Sequence, residues 1–264
     1  MKKLILILLI IGTLFPLMAQ KKNDPHKKKD RSKSNLPLQE EHISPHVLAG
    51  LNAGPTIDWM LTKVEGYAAT KPTLGFRFGI PVDIRLTEKE NFYVNTGLFC
   101  KSFKGTLEFP WSYDISVNFP NIPDPVIIED VRVTTQRTYT SFYLSIPTGI
   151  KLKTTPSRQC VFGTNIGLLH QFLLTGKKQD HFKLGDLNVE TEKVKNDEAA
   201  LFQESIYIGI GLEYIIAQRF RVYFYPTYTY TFNNYYNKKA TNIITQVKGK
   251  ASIHTLEFIF GIGL

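Results

Sequence analysis

From Thr73 to Thr87 every even-numbered residue is bulky and apolar: Leu74, Phe76, Phe78, Ile80, Val82, Ile84 and Leu86. The odd positions between them are small, charged or proline, among them Gly75, Arg77, Gly79, Pro81, Asp83 and Arg85. A period of two puts opposed chemistries on the two faces of an extended strand. The same rule recurs along the chain. Its apolar members are Val47, Leu51, Ile57 and Trp59 in a first segment, Phe92 to Cys100 in a third and Phe142 to Leu152 in a fourth. They are Phe162 to Phe172 in a fifth, Ile206 to Ile216 in a sixth, Phe220 to Phe232 in a seventh and Leu256 to Leu264 in the last. Each segment has the roughly 9 to 11 residues, or somewhat more, that a tilted membrane strand needs.

Glycine decides which face meets which solvent. Gly50, Gly54, Gly75, Gly79, Gly97, Gly149, Gly163, Gly167, Gly209, Gly211, Gly261 and Gly263 all share the face opposite the bulky apolar side chains, and the remaining six of the 18 fall outside the strands. An eight-stranded barrel has an interior only wide enough for side chains, so large inward groups need small neighbours. The large groups on the glycine face are Arg77, Asp83, Arg85, Lys101, Tyr207, Glu213, Arg221, Tyr223, Tyr225 and Glu257. The expected fold is therefore all-β, an eight-stranded antiparallel up-and-down transmembrane β-barrel, apolar outside and polar inside. A soluble lipocalin-like ligand-binding barrel is the rival, with the two faces exchanged. Connections alternate in length. Residues 88–91, 154–159 and 217–218 make short turns, whereas 61–72, 104–136, 176–203 and 233–250 make long loops, the pattern of a barrel with periplasmic turns and extracellular loops.

The ends give the address. Lys2 and Lys3 precede an apolar run from Leu4 that closes on Leu17-Met18-Ala19, which reads as a cleaved signal peptide over 1–19. Residues 20–46 are rich in Lys, Ser, Pro and Asn and are expected to be a disordered basic periplasmic tail. The formal net charge is +9. Signal and tail hold nine Lys or Arg against four acids, so five of those nine charges precede the barrel at 47–264. An exported chain meets no nucleic acid, and the expected partners are outer-membrane lipid and the outer-membrane assembly machinery. The last strand, ending Phe258, Phe260, Ile262 and Leu264, is similar to the signal that machinery reads. The expected location is the outer membrane, with the N-terminus periplasmic. Cys100 and Cys160 fall at opposite ends of parallel-running strands, which argues against a disulfide.

Several strings resemble the PorT-like family of small outer-membrane β-barrels: Tyr93 to Leu98, Tyr143 to Pro147 followed by Gly149 to Lys151, and Gly209 to Tyr214. The resemblance runs from about Val47 to the end. It implies an eight-stranded barrel in a Gram-negative outer membrane, and its namesake's role implies secretion-complex proteins as partners. Ser145 stands where an acid is common in that family and the 104–136 connection is long, so the namesake's specific role is not carried over.

Strand direction groups Asp83, Arg85, Glu213 and Arg221 near the periplasmic end, with Arg77 and Glu257 farther up. These six are expected to form a lumen charge network closing the barrel, because buried charges must be paired. A lipid A-modifying outer-membrane enzyme is the alternative function, with Ser252 and His254 on the outward face of the last strand, but Glu257 lies on the other face, which breaks a triad, and catalysis is not expected. No cofactor site or metal site is expected, since no His or Cys spacing fits one. The 104–136 loop, with Trp111, Tyr113 and Phe119, is the expected recognition surface.

Overall fold

The structure, a computed structural model, describes residues 46–62, 66–69, 71–86, 91–117, 126–154, 159–184, 187–217, 220–236 and 251–264. The expected signal, the expected tail up to residue 45, and Phe119 lie outside them. Eight long strands run β1 (Val47–Thr62), β2 (Thr73–Arg85), β3 (Phe92–Val117), β4 (Val126–Lys153), β5 (Cys160–Leu184), β6 (Phe202–Ala217), β7 (Phe220–Thr231) and β8 (Ala251–Gly263). Each pairs antiparallel with the next along the chain. The ring closes where β8 pairs β1, with Leu51 opposite Ile262 and Trp59 opposite His254. Closure leaves the wall without an edge, as a sheet in lipid requires. Short strands at 68–69, 187–190 and 194–195 attach to β3 and β5 outside the ring.

Side chains follow the alternation. Leu74, Phe76, Phe78, Ile80 and Ile84 are exposed on the outer wall, Leu74 at 75%, while Arg77 and Asp83 between them are buried at 7% and 6%. Ile166, Ile208 and Phe260 stand out likewise, and Glu257 points in at 0%. The soluble lipocalin-like alternative requires the opposite placement and is overturned. Glycine makes room for the lumen tyrosines: a Cβ at Gly163 would come within 2.1 Å of the Tyr225 hydroxyl, and one at Gly149 within 2.4 Å of the Tyr207 hydroxyl.

The long connections need correction. β3 and β4 are 26 and 28 residues long, far beyond a membrane span, and most of the expected loop at 104–136 is their hairpin continuing out of the wall. Trp111 and Tyr113 are strand residues opposite Val133 and Val131, not loop residues. The expected loop at 176–203 likewise contains the end of β5 and two of the short strands.

The extension reverses the polarity of the wall. Cross-strand rows below it present Cys100, Leu144 and Phe172 outward. Above it, successive outward rows are Lys104–Thr140–Lys177, Thr106–Thr138–Gln179 and Glu108–Gln136–His181. Inward there, Phe103, Leu107, Phe109, Tyr139 and Tyr143 join Met60, Tyr235, Ala251 and Ile253 in one buried cluster, beside the buried polar residues Thr135, Arg137, Ser141 and Asp180. A bulge keeps β5 in step: Phe142 pairs with Thr175 and Tyr143 with Leu173, so outward positions change from even to odd. The strands continue, but the solvent around them changes from hydrocarbon to water.

Candidate functional site

The lumen charges form two layers. In the layer nearer the long-loop end, Glu257 receives Arg77 Nη1 and Lys101 Nζ, the latter at 3.2 Å. Lys101 also donates to Thr255 Oγ1 at 2.8 Å and lies 3.6 Å from Asp58. Asp58 accepts from Thr255 at 2.7 Å and from Thr56 at 3.0 Å. The Arg77 guanidinium lies 4.1 Å from the centre of the Phe99 ring. Two cations face two carboxylates, and the Thr56 and Thr255 hydroxyls fill further bonds of Asp58 and Lys101.

The second layer lies toward the short turns. Asp83 accepts from Lys151 at 2.6 Å and from Asn95 at 2.6 Å, with Lys153 at 3.4 Å. Glu213 is 3.0 Å from Lys153, 3.5 Å from Arg221 and 3.8 Å from Lys151, and accepts the Tyr225 hydroxyl at 3.0 Å. Tyr207 reaches across the lumen to donate to Asn95 at 3.1 Å. Between the layers lies a cavity of about 30 Å³ lined by Asn52, Asn95, Asn165, Lys151 and Tyr223 among others. That is space for about two waters and no wider passage.

Of the six expected lumen residues, Arg77 and Glu257 meet in one layer and Asp83, Glu213 and Arg221 in the other. Arg85 stands apart at the rim, its guanidinium 3.4 Å from the His46 ring. Sequence reasoning missed Asp58, Lys151 and Lys153, although parity marks all three. Asp58 lies between outward Ile57 and Trp59, and the two lysines alternate with outward Ile150 and Leu152.

A third polar cluster sits in the sheet extension. Arg137 grips Asp180 through two nitrogens at 2.6 and 2.8 Å and reaches Glu198 at 3.2 Å. Lys178 bonds Glu198 at 2.5 Å and Asp197 at 3.3 Å. That hydrogen bond holds the exposed Asp197 carboxyl below the usual carboxylate range. Tyr235, buried under this cluster, donates to or accepts from Ser141 at 3.3 Å and accepts from Asn196 at 2.8 Å. Burial raises the Tyr235 and Tyr236 phenols above their ordinary range, so both stay neutral donors.

On the outer wall, His254 stacks on Trp59 with ring centres 5.7 Å apart, and its Nδ1 lies 2.6 Å from the Tyr228 hydroxyl. Ser252 Oγ is 3.5 Å from Nε2. Glu257 is in the lumen, on the other face. His254 is paired with Trp59 on one side and Tyr230 on the other, so the ladder occupies its backbone N–H. Among the described residues, no three His, Cys, Asp or Glu side chains gather as metal ligands.

A family model described as "outer membrane protein beta-barrel domain" matches residues 18–237. No curated protein matches. Among solved structures, the chain is similar to Neisserial surface protein A at 9% identity and a TM-score of 0.39, covering 82% of this chain and 96% of that one. It is similar to Ail, the attachment invasion locus protein of Yersinia pestis, at 13% and 0.35, covering 83% and 100%. The outer membrane protease OmpT of Escherichia coli aligns at 11% and 0.31, covering 82% and 95%. At such identities the likeness is one of shape and conveys no chemistry.

Proposed function

The chain belongs to the outer membrane protein beta-barrel domain family, and from that premise we propose a closed, non-conducting barrel that holds a stiff sheet extension outside the cell as a binding surface. Its N-terminus is then periplasmic, because His46 lies at the short-turn end, where its carbonyl accepts from the Arg85 N–H. The single observation that carries the reading is the filled lumen: two ion-paired layers spanning the bore, with the tyrosine-rich apolar cluster above them. A general porin keeps an open aqueous bore, which needs many more strands. The protein then acts by what its surface holds rather than by what its lumen passes.

Non-catalytic action is part of this reading. Ser252, His254 and Tyr228 fall in line, but among the described residues no carboxylate contacts them, and the His254 ring is packed among Trp59, Tyr228 and Tyr230. An aromatic and histidine cluster on the wall, near the level where lipid ends, suits anchoring at the membrane interface. The test is reconstitution in planar bilayers under a voltage step. Current at the level of the bare bilayer is expected, and stable open steps of general-porin size would overturn the closed lumen.

A further inference from the structure

One cross-strand row on the outer face sets lysines side by side. Lys104 of β3 is opposite Thr140 of β4, Thr140 opposite Lys177 of β5, and Lys177 opposite Lys195 in the short strand 194–195. All four residues are exposed. Asn196, next to Lys195, turns inward to the Tyr235 hydroxyl, which leaves Lys195 on the outer face beside Lys177. Neighbouring strands lie about 4.8 Å apart, so three ammonium groups on flexible stems share one patch about 15 Å wide. Like charges directly opposite one another destabilise a sheet.

Among the described residues, no carboxylate lies within ion-pair distance of Lys104, Lys177 or Lys195. Asp197 is within electrostatic reach of Lys195, and it accepts a hydrogen bond from Lys178. Farther out the outer face carries acids beside polar partners, with Glu108 accepting from Gln136 and Glu190 lying 3.9 Å from His181.

Position supplies the second observation. The lysine row is the first fully polar row past the hydrocarbon wall. Two rows beneath it, Phe172 and Phe202 pack with ring centres 5.1 Å apart, and Leu174 and Leu201 stand exposed at the same level. A cation row directly above an exposed apolar belt lies at the depth of lipid headgroups.

We propose that Lys104, Lys177 and Lys195, with the Thr140 hydroxyl between them, bind the phosphomonoester headgroup of an anionic membrane lipid at the rim of the wall. Its acyl chains lie along Phe172, Leu174, Leu201 and Phe202. The phosphate accepts from the ammonium groups and removes the repulsion between Lys177 and Lys195. The inference rests on the reading that the wall ends at this row, but not on which end faces outward.

The test uses the full barrel folded into phosphatidylcholine vesicles with or without diphosphorylated lipid A in both leaflets, so orientation does not affect the result. Urea unfolding is measured for the wild type, for Lys177→Gln/Lys195→Gln, and for Lys183→Gln, an exposed lysine three rows farther from the wall. Without the phosphomonoester lipid, the double variant should be as stable as the wild type or more so. With it, the order should reverse, and native mass spectrometry should show lipid retention reduced about 25-fold, about five-fold for each charge removed. Lys183→Gln should follow the wild type in both vesicles.

The same stability order in both vesicles would overturn the site. Equal stabilisation by free inorganic phosphate at matched concentration would overturn the lipid as its source. Failure of the wild type to fold into either vesicle would count against the membrane wall itself, a separate outcome from failure of the lysine row.

Discussion

Replacing Glu213 by Gln should be among the most damaging single changes in the lumen. The carboxylate is 3% exposed and faces Lys153, Arg221 and Lys151 at 3.0, 3.5 and 3.8 Å. At an effective dielectric of about 20, each such pair has a gross attraction of about 4 kcal/mol, or on the order of 12 kcal/mol for the three. Desolvating the ions offsets most of that, and removing one partner of a buried ion pair costs about 3–5 kcal/mol net because it leaves charge uncompensated. Glu213→Gln keeps the shape but leaves Lys151 and Lys153 to share Asp83 and takes the facing carboxylate from Arg221. The free energy of unfolding in vesicles, followed by urea titration and tryptophan emission, should fall by that amount. Removing a cation at the same time, as Glu213→Gln/Lys153→Met, should cost clearly less than the sum of the single changes, since the two side chains touch. A loss below about 1 kcal/mol for Glu213→Gln, the level of an exposed pair, would show that the layer is hydrated and open, and the closed-lumen argument would fail with it.

Two further changes probe the glycine face and the outer wall. Gly163→Ala puts a methyl group 2.1 Å from the Tyr225 hydroxyl, so it should cost about 1–3 kcal/mol in the wild type and less in a Tyr225→Phe background, read from urea midpoints. An equal cost in both backgrounds would place the strain elsewhere. Ile166→Arg, in the middle of the lipid-facing stretch of β5, should cost about 2–4 kcal/mol, whereas Gln179→Arg on the outward face of the same strand should be near neutral. Similar costs for the two would refute the change of solvent along β5.

Most of the wall was legible because a membrane strand has a simple rule. With hydrocarbon on one side and a side-chain-filled bore on the other, the period of two names each face without knowledge of the neighbours, and the glycines of matching parity tell which face is crowded. The rule fails where its boundary condition fails. After Cys100 the bulky positions move from even to odd, at Phe103, Leu107 and Phe109, which in sequence reads as the end of a strand and the start of a loop. In the structure the backbone runs straight on. Once the outer solvent is water, the stable arrangement puts the apolar side inward, so an uninterrupted strand reverses its pattern at the membrane surface.

β5 hides the transition in another way. Its bulge at Leu174 changes which residues face outward, so the sequence pattern carries both a change of solvent and a change of register, and neither can be separated without the pairing partners. The candidate site divides along the same line. Arg77, Asp83, Glu213, Arg221 and Glu257 could be placed in the bore by parity alone. Their sorting into two layers depends on Asp58, Lys151 and Lys153 and on the stagger between strands that do not pair directly, β2 with β4 and β4 with β6 in one layer, β2 and β3 with β8 in the other, which no local pattern records. The lysine row lies still further from local reading: Lys104, Lys177 and Lys195 become neighbours only through three strand pairings and one bulge.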